Sequence, residues 1–307
     1  MESLLYSREN IKILVENGSP RMDIQIFNEK VPEDGALIRI LFSLTGTRND
    51  LSCLKDLASF SNIPGHFGYT SVGVVEEVGS CCSFAEKGKT VLLPAQYSKY
   101  ISIKASDYQE MRAVLFKAVP NDVDKVDVLF LPALCTALKL YSNLDDPEKG
   151  SIIFLGCNII GTVFLKLLGC EGIHPSIYID HADMKAELLL ENGGEAVIEN
   201  GEQMPKEMAK KVKDVFVFSA SPWIDDIREN SSLDHANFID VPQEDIKQER
   251  YPWVSYDVQQ AALDLISNGG LYFRDLIAQH IHAETVQETY KSIKENTYKG
   301  RVLVYDW

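Results

Sequence analysis

The chain has 307 residues, of which 45% are hydrophobic and 24% charged, a balance typical of a folded globular protein and not of a disordered or collagen-like one. At roughly 150 residues per domain, this length predicts about two domains. The 45 acidic residues outnumber the 30 basic ones and give a formal net charge of −15. Because such a chain repels phosphate backbones, we expect no nucleic-acid partner.

The sequence also argues against a membrane or secreted protein. Apolar runs such as 128–134 and 151–155 fall far short of the roughly 20 residues that a membrane-spanning helix needs. The first ten residues include Glu2, Arg8 and Glu9, unlike a secretory signal peptide. The six cysteines form no Cys-x-x-Cys pair and follow no disulfide or metal-binding pattern. We therefore expect a cytoplasmic protein with reduced thiols.

The first third of the chain is predicted to be β structure. Short runs rich in β-branched residues are separated by turn signals such as Asn17-Gly18 and Pro32-Glu33-Asp34-Gly35. Several short strands at such close spacing predict a small barrel or sandwich. The predicted strands are 11–15, 22–27, 36–42, 71–78, 90–94 and 100–103.

From about residue 120 the pattern changes to alternating helices and strands. Apolar residues at helical spacing predict one helix over 122–142. Alternating β and α units then predict a parallel sheet with crossover helices. The predicted strands are 151–155, 176–179, 196–198 and 215–218, and the predicted helices are 160–168, 183–191 and 206–213. The remaining predictions are helix 257–267, strand 276–280, helix 283–296 and strand 301–305.

The strongest chemical signal is a glycine turn between a predicted buried strand and a predicted helix. It reads Gly156-Cys157-Asn158-Ile159-Ile160-Gly161, which matches the dinucleotide-binding pattern G-x-G-x-x-G except at its second glycine. Gly156 would allow the tight turn, and Gly161 would allow the helix to pack closely on the strand. The amides at the start of the helix, including those of Asn158, Ile159 and Ile160, would attract a pyrophosphate.

Two further residues bear on this interpretation. Asp180 ends the next predicted strand, 19 residues beyond Gly161, where a carboxylate can accept hydrogen bonds from the ribose hydroxyls of an adenosine. It would repel a 2′-phosphate, so we expect NAD(H) to be preferred over NADP(H). Asn158 departs from the pattern, which has glycine at this position, and its Cβ could crowd the diphosphate. The alternative is an ordinary strand–turn–helix that binds no nucleotide.

The order of these parts resembles the medium-chain dehydrogenase/reductase superfamily over nearly the whole chain. The stretch from Gly68 through Gly73 to Gly79 is similar to the family's G-H-E-x-x-G-V-V-x-x-V-G motif. Gln96-Tyr97-Ser98-Lys99-Tyr100 resembles its G-x-A-E-Y strand, and Leu134-Cys135-Thr136-Ala137 resembles its L-x-T-A helix. The resemblance implies an α/β fold, with a GroES-like β-barrel at 1–118 and 272–307 and a Rossmann-type doubly wound parallel sheet at 119–271.

The family's zinc ligands are absent from this sequence. Zinc alcohol dehydrogenases hold their catalytic metal with a Cys, the His of G-H-E and a later Cys or Glu. By resemblance, these positions are Thr45, Tyr69 and Leu131 here, and hydroxyl and alkyl groups do not replace thiolate and imidazole. We therefore expect no zinc. The stretches Ser43–Asp50 and Gly68–Gly73 look most like a zinc-less branch of the superfamily that includes bacteriochlorophyllide dehydrogenase-like proteins.

The resemblance also implies which side chains would surround a substrate. Tyr69 and Thr45 lie at the vacated ligand positions, and His66 lies in the preceding loop, so each is a candidate proton donor or hydrogen-bond donor. Tyr69 could instead be a packed core tyrosine, and His66 a solvated loop residue. Thr136 would contact the nicotinamide side of the cofactor, and Ser219 would border its ribose.

These observations favour a zinc-independent, NAD(P)(H)-dependent oxidoreductase that transfers hydride to or from a small carbonyl, alcohol or activated C=C substrate in the interdomain cleft. The resemblance further implies a homodimer. One alternative is a non-catalytic or regulatory nucleotide-binding descendant, which Asn158 and the short polar stretch 222–242 would favour. Another is a redox-neutral enzyme with tightly bound NAD.

Overall fold

A computed structural model of the chain describes residues 8–16, 19–27, 31–45, 70–95, 97–108, 117–145, 151–179, 186–199, 206–218, 222–230, 233–241, 255–295, 298 and 301–307. These residues divide into two compact units. The first comprises the described residues of Met1–Pro132 and Tyr272–Trp307, and the second those of Ala133–Asp245 and Ser255–Leu271.

Strands predominate in the first third of the chain, and helices alternate with strands after it. The strands are β1 (Arg8–Glu16), β2 (Ser19–Phe27), β3 (Ala36–Leu44), β4 (Thr70–Val78), β5 (Thr90–Leu93), β6 (Tyr100–Ile103), β7 (Lys117–Val119), β8 (Ile152–Leu155), β9 (Ser176–Ile179), β10 (Ala196–Glu199), β11 (Asp214–Val217), β12 (Asn237–Asp240), β13 (Ile277–Ile281) and β14 (Val302–Asp306). The α-helices are α1 (Leu131–Ser142), α2 (Ile159–Cys170), α3 (Ala186–Glu191), α4 (Lys206–Ala209), α5 (Pro222–Asn230), α6 (Tyr256–Ser267) and α7 (Val286–Lys294). Short 3-10 helices cover Asp127–Phe130, Arg274–Leu276 and Ala283–Thr285.

The first unit is built around β3. In its described part, the strands of one sheet follow the order β13-β14-β3-β4-β5-β7, and β6 also pairs with β3. The side chains of Ile38 and Ile40 on β3 pack with Val75 on β4 and Val91 on β5 in a buried apolar cluster. Strands β1 and β2 form a separate antiparallel hairpin.

The end of the chain returns to this sheet through β14. Val304 on β14 pairs with Leu44 on β3 in antiparallel register. Just beyond β3, the Thr45 hydroxyl donates to the Leu303 carbonyl at 3.1 Å and accepts from the Leu303 amide at 3.0 Å. Thr45 is fully buried. Its side chain therefore satisfies a backbone amide that would otherwise be buried without an acceptor.

A buried polar chain adds a second attachment for the last strand. The Trp307 indole donates from Nε1 to Ser43 Oγ at 2.8 Å, and Ser43 Oγ lies 2.8 Å from Ser71 Oγ on β4. The hydroxyl of the buried Tyr97 donates to the Leu44 carbonyl at 3.1 Å. The last strand is therefore held by both backbone pairing and buried side-chain hydrogen bonds.

The second unit contains a parallel sheet with the strand order β10-β9-β8-β11-β12 among its described residues. Every pairing in this sheet is parallel. Successive residues of β8 point to opposite faces. Ile153 and Leu155 pack in one cluster with Ile224 of α5, while Phe154 stacks on Phe164 of α2. Helices therefore cover both faces, as in a doubly wound fold.

The boundary between the units lies later than the sequence division suggested. The structure assigns residues 119–132 to the first unit, not the second. The Asp127 carboxylate accepts the Phe273 amide at 2.7 Å, and the Phe130 and Phe273 rings stack 5.0 Å apart. These contacts attach the stretch before α1 to the returning tail.

The predicted helix over 122–142 is wrong before residue 131. The α-helix begins at Leu131, after a 3-10 turn over Asp127–Phe130. Asp124 Oδ1 accepts the amides of Val126 and Asp127 at 2.8 and 3.4 Å. A side chain that binds nearby amides in this way competes with helix formation.

The stretches on either side of β11 were predicted incompletely from the sequence. The predicted helix 206–213 ends at Ala209, because the amides of Lys213 and Asp214 both donate to the Ser151 carbonyl and lead the chain into β11. No helix or strand was predicted in the short polar stretch after residue 221, which forms α5 and β12. Strand β12 was missed because it is only partly buried and carries a weak apolar pattern.

The two hydrogen bonds between the Thr45 hydroxyl and the Leu303 backbone, here called the Thr45 bridge, predict a specific effect on stability. Thr45→Val keeps the shape of the side chain but leaves the Leu303 amide without its acceptor. We expect a loss of about 1–3 kcal/mol in the free energy of unfolding, the usual cost of an unsatisfied buried donor, measured by urea denaturation. Thr45→Ser retains the hydroxyl and should lose less. Equal stability of Thr45→Val and the wild type would contradict the bridge.

Candidate nucleotide-binding site

The candidate site lies at the carboxyl ends of β8 and β11. These two strands are adjacent, but the sheet continues from β8 through β9 to β10 on one side and from β11 to β12 on the other. In open α/β sheets, ligands bind in the crevice at such a reversal of strand order. The turn that follows β8 begins at this point.

Gly156 makes the sharp exit from β8. Its φ is +72°, in the left-handed region that glycine adopts without steric cost. Its amide donates to the Tyr178 carbonyl on β9 at 2.7 Å, so the turn remains attached to the neighbouring strand. The local geometry at the first glycine of the motif is therefore that of a nucleotide-binding turn.

Asn158 stands where the motif has its second glycine, and it caps α2. Its φ of −125° and ψ of −169° are extended, so the backbone there does not need glycine. The side-chain Oδ1 accepts the Gly161 amide at 3.0 Å. The Nδ2 group donates to the Phe218 carbonyl, just after β11, at 3.5 Å. One side chain thus contacts the backbone just after β11 and the start of α2.

Gly161 lies where α2 approaches the sheet most closely. A Cβ at this position would lie 2.7 Å from Cys157 Sγ and 3.3 Å from the Phe218 ring. Such distances leave no room for a side chain. The third glycine of the motif is therefore required by helix–sheet packing, as the sequence predicts.

Aromatic rings fill the space beneath the helix. Phe154 lies 5.5 Å from Phe164 and 4.8 Å from Phe218, measured between ring centroids. Phe216 contacts Phe164 edge to face at 5.1 Å. Large rings in such arrangements supply much of the packing energy of a core, so the turn rests on a rigid base.

Cys157 belongs to this packing and does not act as a nucleophile. It is buried, and burial raises the pKa of its thiol to about 12, against the smaller lowering effect of the Thr162 hydroxyl. Its Sγ lies 3.6 Å from Thr162 Oγ1. Because the thiolate is the reactive form, this thiol is inert at neutral pH.

The structure brings together one part of the predicted site. Residues Gly156 to Gly161 form the turn, with Ile159 and Ile160 in the first turn of α2. Thr136 lies in α1 and is 8% exposed. Thr45 lies in the first unit, and the hydrogen of its hydroxyl is already donated to Leu303. The predicted site residues Tyr69, His66, Asp180 and Ser219 lie outside the described residues.

Sequence reasoning missed two features of the turn. The capping role of Asn158 could have been found, because Asn is among the best residues immediately before a helix. The Phe218 carbonyl as its second partner could not, because only the fold brings the ends of β8 and β11 together.

Among the described residues, no cluster of three or more His, Cys, Asp or Glu could hold a metal ion. Nor is any helix in the described ranges long and apolar enough to cross a membrane.

No known family model matches the chain, and no curated protein matches it by sequence. Solved structures do match. An oxidoreductase/dehydrogenase of unknown specificity involved in membrane biogenesis, from Escherichia coli, is 15% identical with a TM-score of 0.71, covering 97% of this chain and 99% of that one. A protein from Sinorhizobium meliloti described as a zinc-binding dehydrogenase, bound to NADP, is 14% identical with a TM-score of 0.71, covering 98% and 100%.

A third similar structure is 2R,3R-butanediol dehydrogenase from Bacillus subtilis, 14% identical with a TM-score of 0.68 over 97% of this chain and 99% of that one. The similarity therefore extends along nearly the full length of both chains. It confirms the predicted fold class, a GroES-like barrel combined with a Rossmann-type parallel sheet. The chain has the fold of the medium-chain dehydrogenases and reductases.

The residues present fit a dinucleotide diphosphate in most respects. The left-handed Gly156, the close packing at Gly161 and the position at the strand reversal all match what such a ligand needs. The amides of Ile159 and Ile160 lie in the first turn of α2, where they have no partner within the helix. The Gly161 amide, by contrast, is held by Asn158.

Two glycines of α2 provide a matched test of the packing at the turn. Gly161→Ala should destabilise the protein by about 1–3 kcal/mol, because the added methyl overpacks Cys157 and Phe218. Gly169→Ala, in the same helix, should be neutral or stabilising by up to about 1 kcal/mol, since the nearest atom to its Cβ would lie 3.9 Å away. Thermal unfolding of both variants measures the difference. Equal effects would show that α2 is not closely packed at Gly161.

Proposed function

We propose that the protein is an NAD(P)(H)-dependent oxidoreductase of the medium-chain type, acting on a small carbonyl, alcohol or activated C=C substrate. The observation that carries this proposal is the Gly156–Gly161 turn at the strand reversal of a sheet with this fold. When bound, the nicotinamide supplies the hydride chemistry. The chain's own contribution is to hold the diphosphate at the start of α2 and to orient the reacting groups.

The proposal includes a preference for NAD(H). Asp180 follows β9, the strand beside β8, and comes 19 residues after Gly161. A carboxylate at this point of the motif accepts hydrogen bonds from the ribose hydroxyls and repels a 2′-phosphate. Thr136 and Ser219 are proposed to lie near the nicotinamide and its ribose, by analogy with the fold's other members.

The substrate oxygen needs a proton donor or a hydrogen-bond donor. We propose Tyr69 for this role, with His66 as the alternative proton relay. The Thr45 hydroxyl donates its hydrogen to Leu303 and so has only an acceptor lone pair to offer. Its proposed contribution is therefore to hold the end of β3 in place. The residues Thr45, Tyr69 and Leu131 support a zinc-independent reaction, because none of them is a zinc ligand.

The unpatterned cysteines support a cytoplasmic location, and the fold supports a homodimer; both are part of the proposal.

A second candidate function is that of a nucleotide-binding or regulatory protein without turnover. The hydrogen bond from Gly161 to Asn158 favours it, because it removes one amide from those available to a phosphate.

Fluorescence titration with NADH and NADPH tests the proposal. We expect saturable NADH binding that Asp180→Ala weakens about tenfold, the loss typical of hydrogen bonds to a charged group, with little effect on NADPH. The matched control is Asp183→Ala, which removes the next acidic residue, three positions further on. This variant should bind NADH as the wild type does.

The outcomes separate the two candidate functions. Turnover with NADH across a panel of aldehydes, ketones and enones, followed by nicotinamide absorbance, would establish the oxidoreductase. Tight NADH binding without turnover on any of them would favour the non-catalytic candidate. If neither cofactor binds at millimolar concentration, the oxidoreductase proposal fails.

A further inference from the structure

The start of α2 is capped by the chain itself. The first amides of any helix have no partner within it, and these are the groups that a nucleotide phosphate contacts. In α2 they belong to Ile159, Ile160 and Gly161. The innermost of the three, Gly161, already donates to Asn158 Oδ1 at 3.0 Å. A ligand oxygen that approaches this amide must therefore replace a side-chain oxygen of the protein.

The other end of the same side chain faces the second strand of the crevice. Asn158 Nδ2 donates to the Phe218 carbonyl at 3.5 Å, and the Phe218 amide donates to the Leu155 carbonyl at 2.9 Å. The Asn158 side chain therefore links the start of α2 to the end of β11. It bridges the strand reversal at which a bound diphosphate would lie.

We propose that Asn158 is an internal competitor for the nucleotide phosphate, and so a determinant of how weakly the protein holds its cofactor. Without a nucleotide, the side-chain oxygen of Asn158 accepts the hydrogen bond of the Gly161 N–H. On binding, the side chain leaves this amide and a phosphate oxygen takes its place. This inference rests on the proposed nucleotide-binding function, and adds to it that the wild-type affinity is limited by a side chain that the ligand must displace.

The exchange is physically feasible in both directions. A phosphate oxygen carries more negative charge than an amide oxygen and gains more from the positive end of the helix. An asparagine cap contributes enough stability that its loss corresponds to about a fivefold change in an equilibrium constant. The backbone of Asn158 is extended and unstrained, so the side chain can leave without a change of the turn.

Three substitutions at this position separate competition from simple bulk. Asn158→Gly and Asn158→Ala both remove the capping oxygen, but only the first also removes the Cβ. We expect Asn158→Ala to bind NADH and ADP about fivefold more tightly than the wild type, and Asn158→Gly by less than about twofold, because glycine is itself an adequate cap. Asn158→Asp keeps a good cap and adds a negative charge, so it should bind both ligands more weakly than the wild type. ADP reports on the diphosphate subsite without the nicotinamide.

Amide hydrogen exchange gives a reading independent of affinity. In the free wild-type protein, the Gly161 amide should exchange more slowly than in Asn158→Ala, because it is hydrogen-bonded only when the cap is present. Saturating ADP should restore its protection in the variant. Thermal unfolding confirms that each variant is folded before it is titrated.

The outcomes distinguish this inference from the proposed function. Equal affinities of the wild type, Asn158→Ala and Asn158→Gly for ADP would overturn the inference and leave the function standing. Tighter binding by Asn158→Gly alone would also overturn it, since bulk and not capping would then be the cause. Binding by both neutral variants but not by the wild type would support it and favour the non-catalytic candidate. Failure of every form to bind NADH, NADPH or ADP would overturn both.

Discussion

The close approach of α2 to the sheet at Gly161 is the constraint on which the candidate site depends. With Cys157 Sγ and the Phe218 ring against this glycine, a Cβ there would force the helix away from the sheet. At the observed separation, the Gly161 amide and the Phe218 carbonyl both lie within reach of Asn158. The packing therefore determines the site's geometry and also allows the chain to fill it.

In the first unit, buried polar side chains attach the last strand to β3. The Thr45 hydroxyl is hydrogen-bonded to the backbone of Leu303, and Ser43 Oγ accepts a hydrogen bond from the Trp307 indole. Both contacts attach the last strand to β3. A buried hydroxyl at such a position satisfies backbone groups that would otherwise lack a partner. Side-chain hydrogen bonds therefore add to the backbone pairing of β14 with β3.

The sequence predicted those elements whose local pattern and tertiary packing agree. Strand β8 and helix α2 are strongly apolar and are separated by a glycine turn, and the resemblance to the dehydrogenase fold placed them correctly. Helix α5 and strand β12 were missed because β12 is half-exposed and its pattern is polar. The part of the predicted helix 122–142 before residue 131 failed because Asp124 binds nearby amides, an effect that depends on side-chain geometry. The link from Asn158 to Phe218 could not be predicted, since 60 residues separate the two in the chain.

The net charge gives the cap at Asn158 its importance. At −15, the protein as a whole repels an anionic cofactor, and NADPH with its extra phosphate more than NADH. The turn from Gly156 to Gly161 contains no lysine or arginine, so within the turn itself the attraction for a diphosphate comes from backbone amides at the positive end of α2. With few such donors, the occupation of one by a neutral side chain changes the affinity appreciably. If the turn binds a nucleotide as proposed, the net negative charge and the capped helix would both reduce its affinity for a diphosphate.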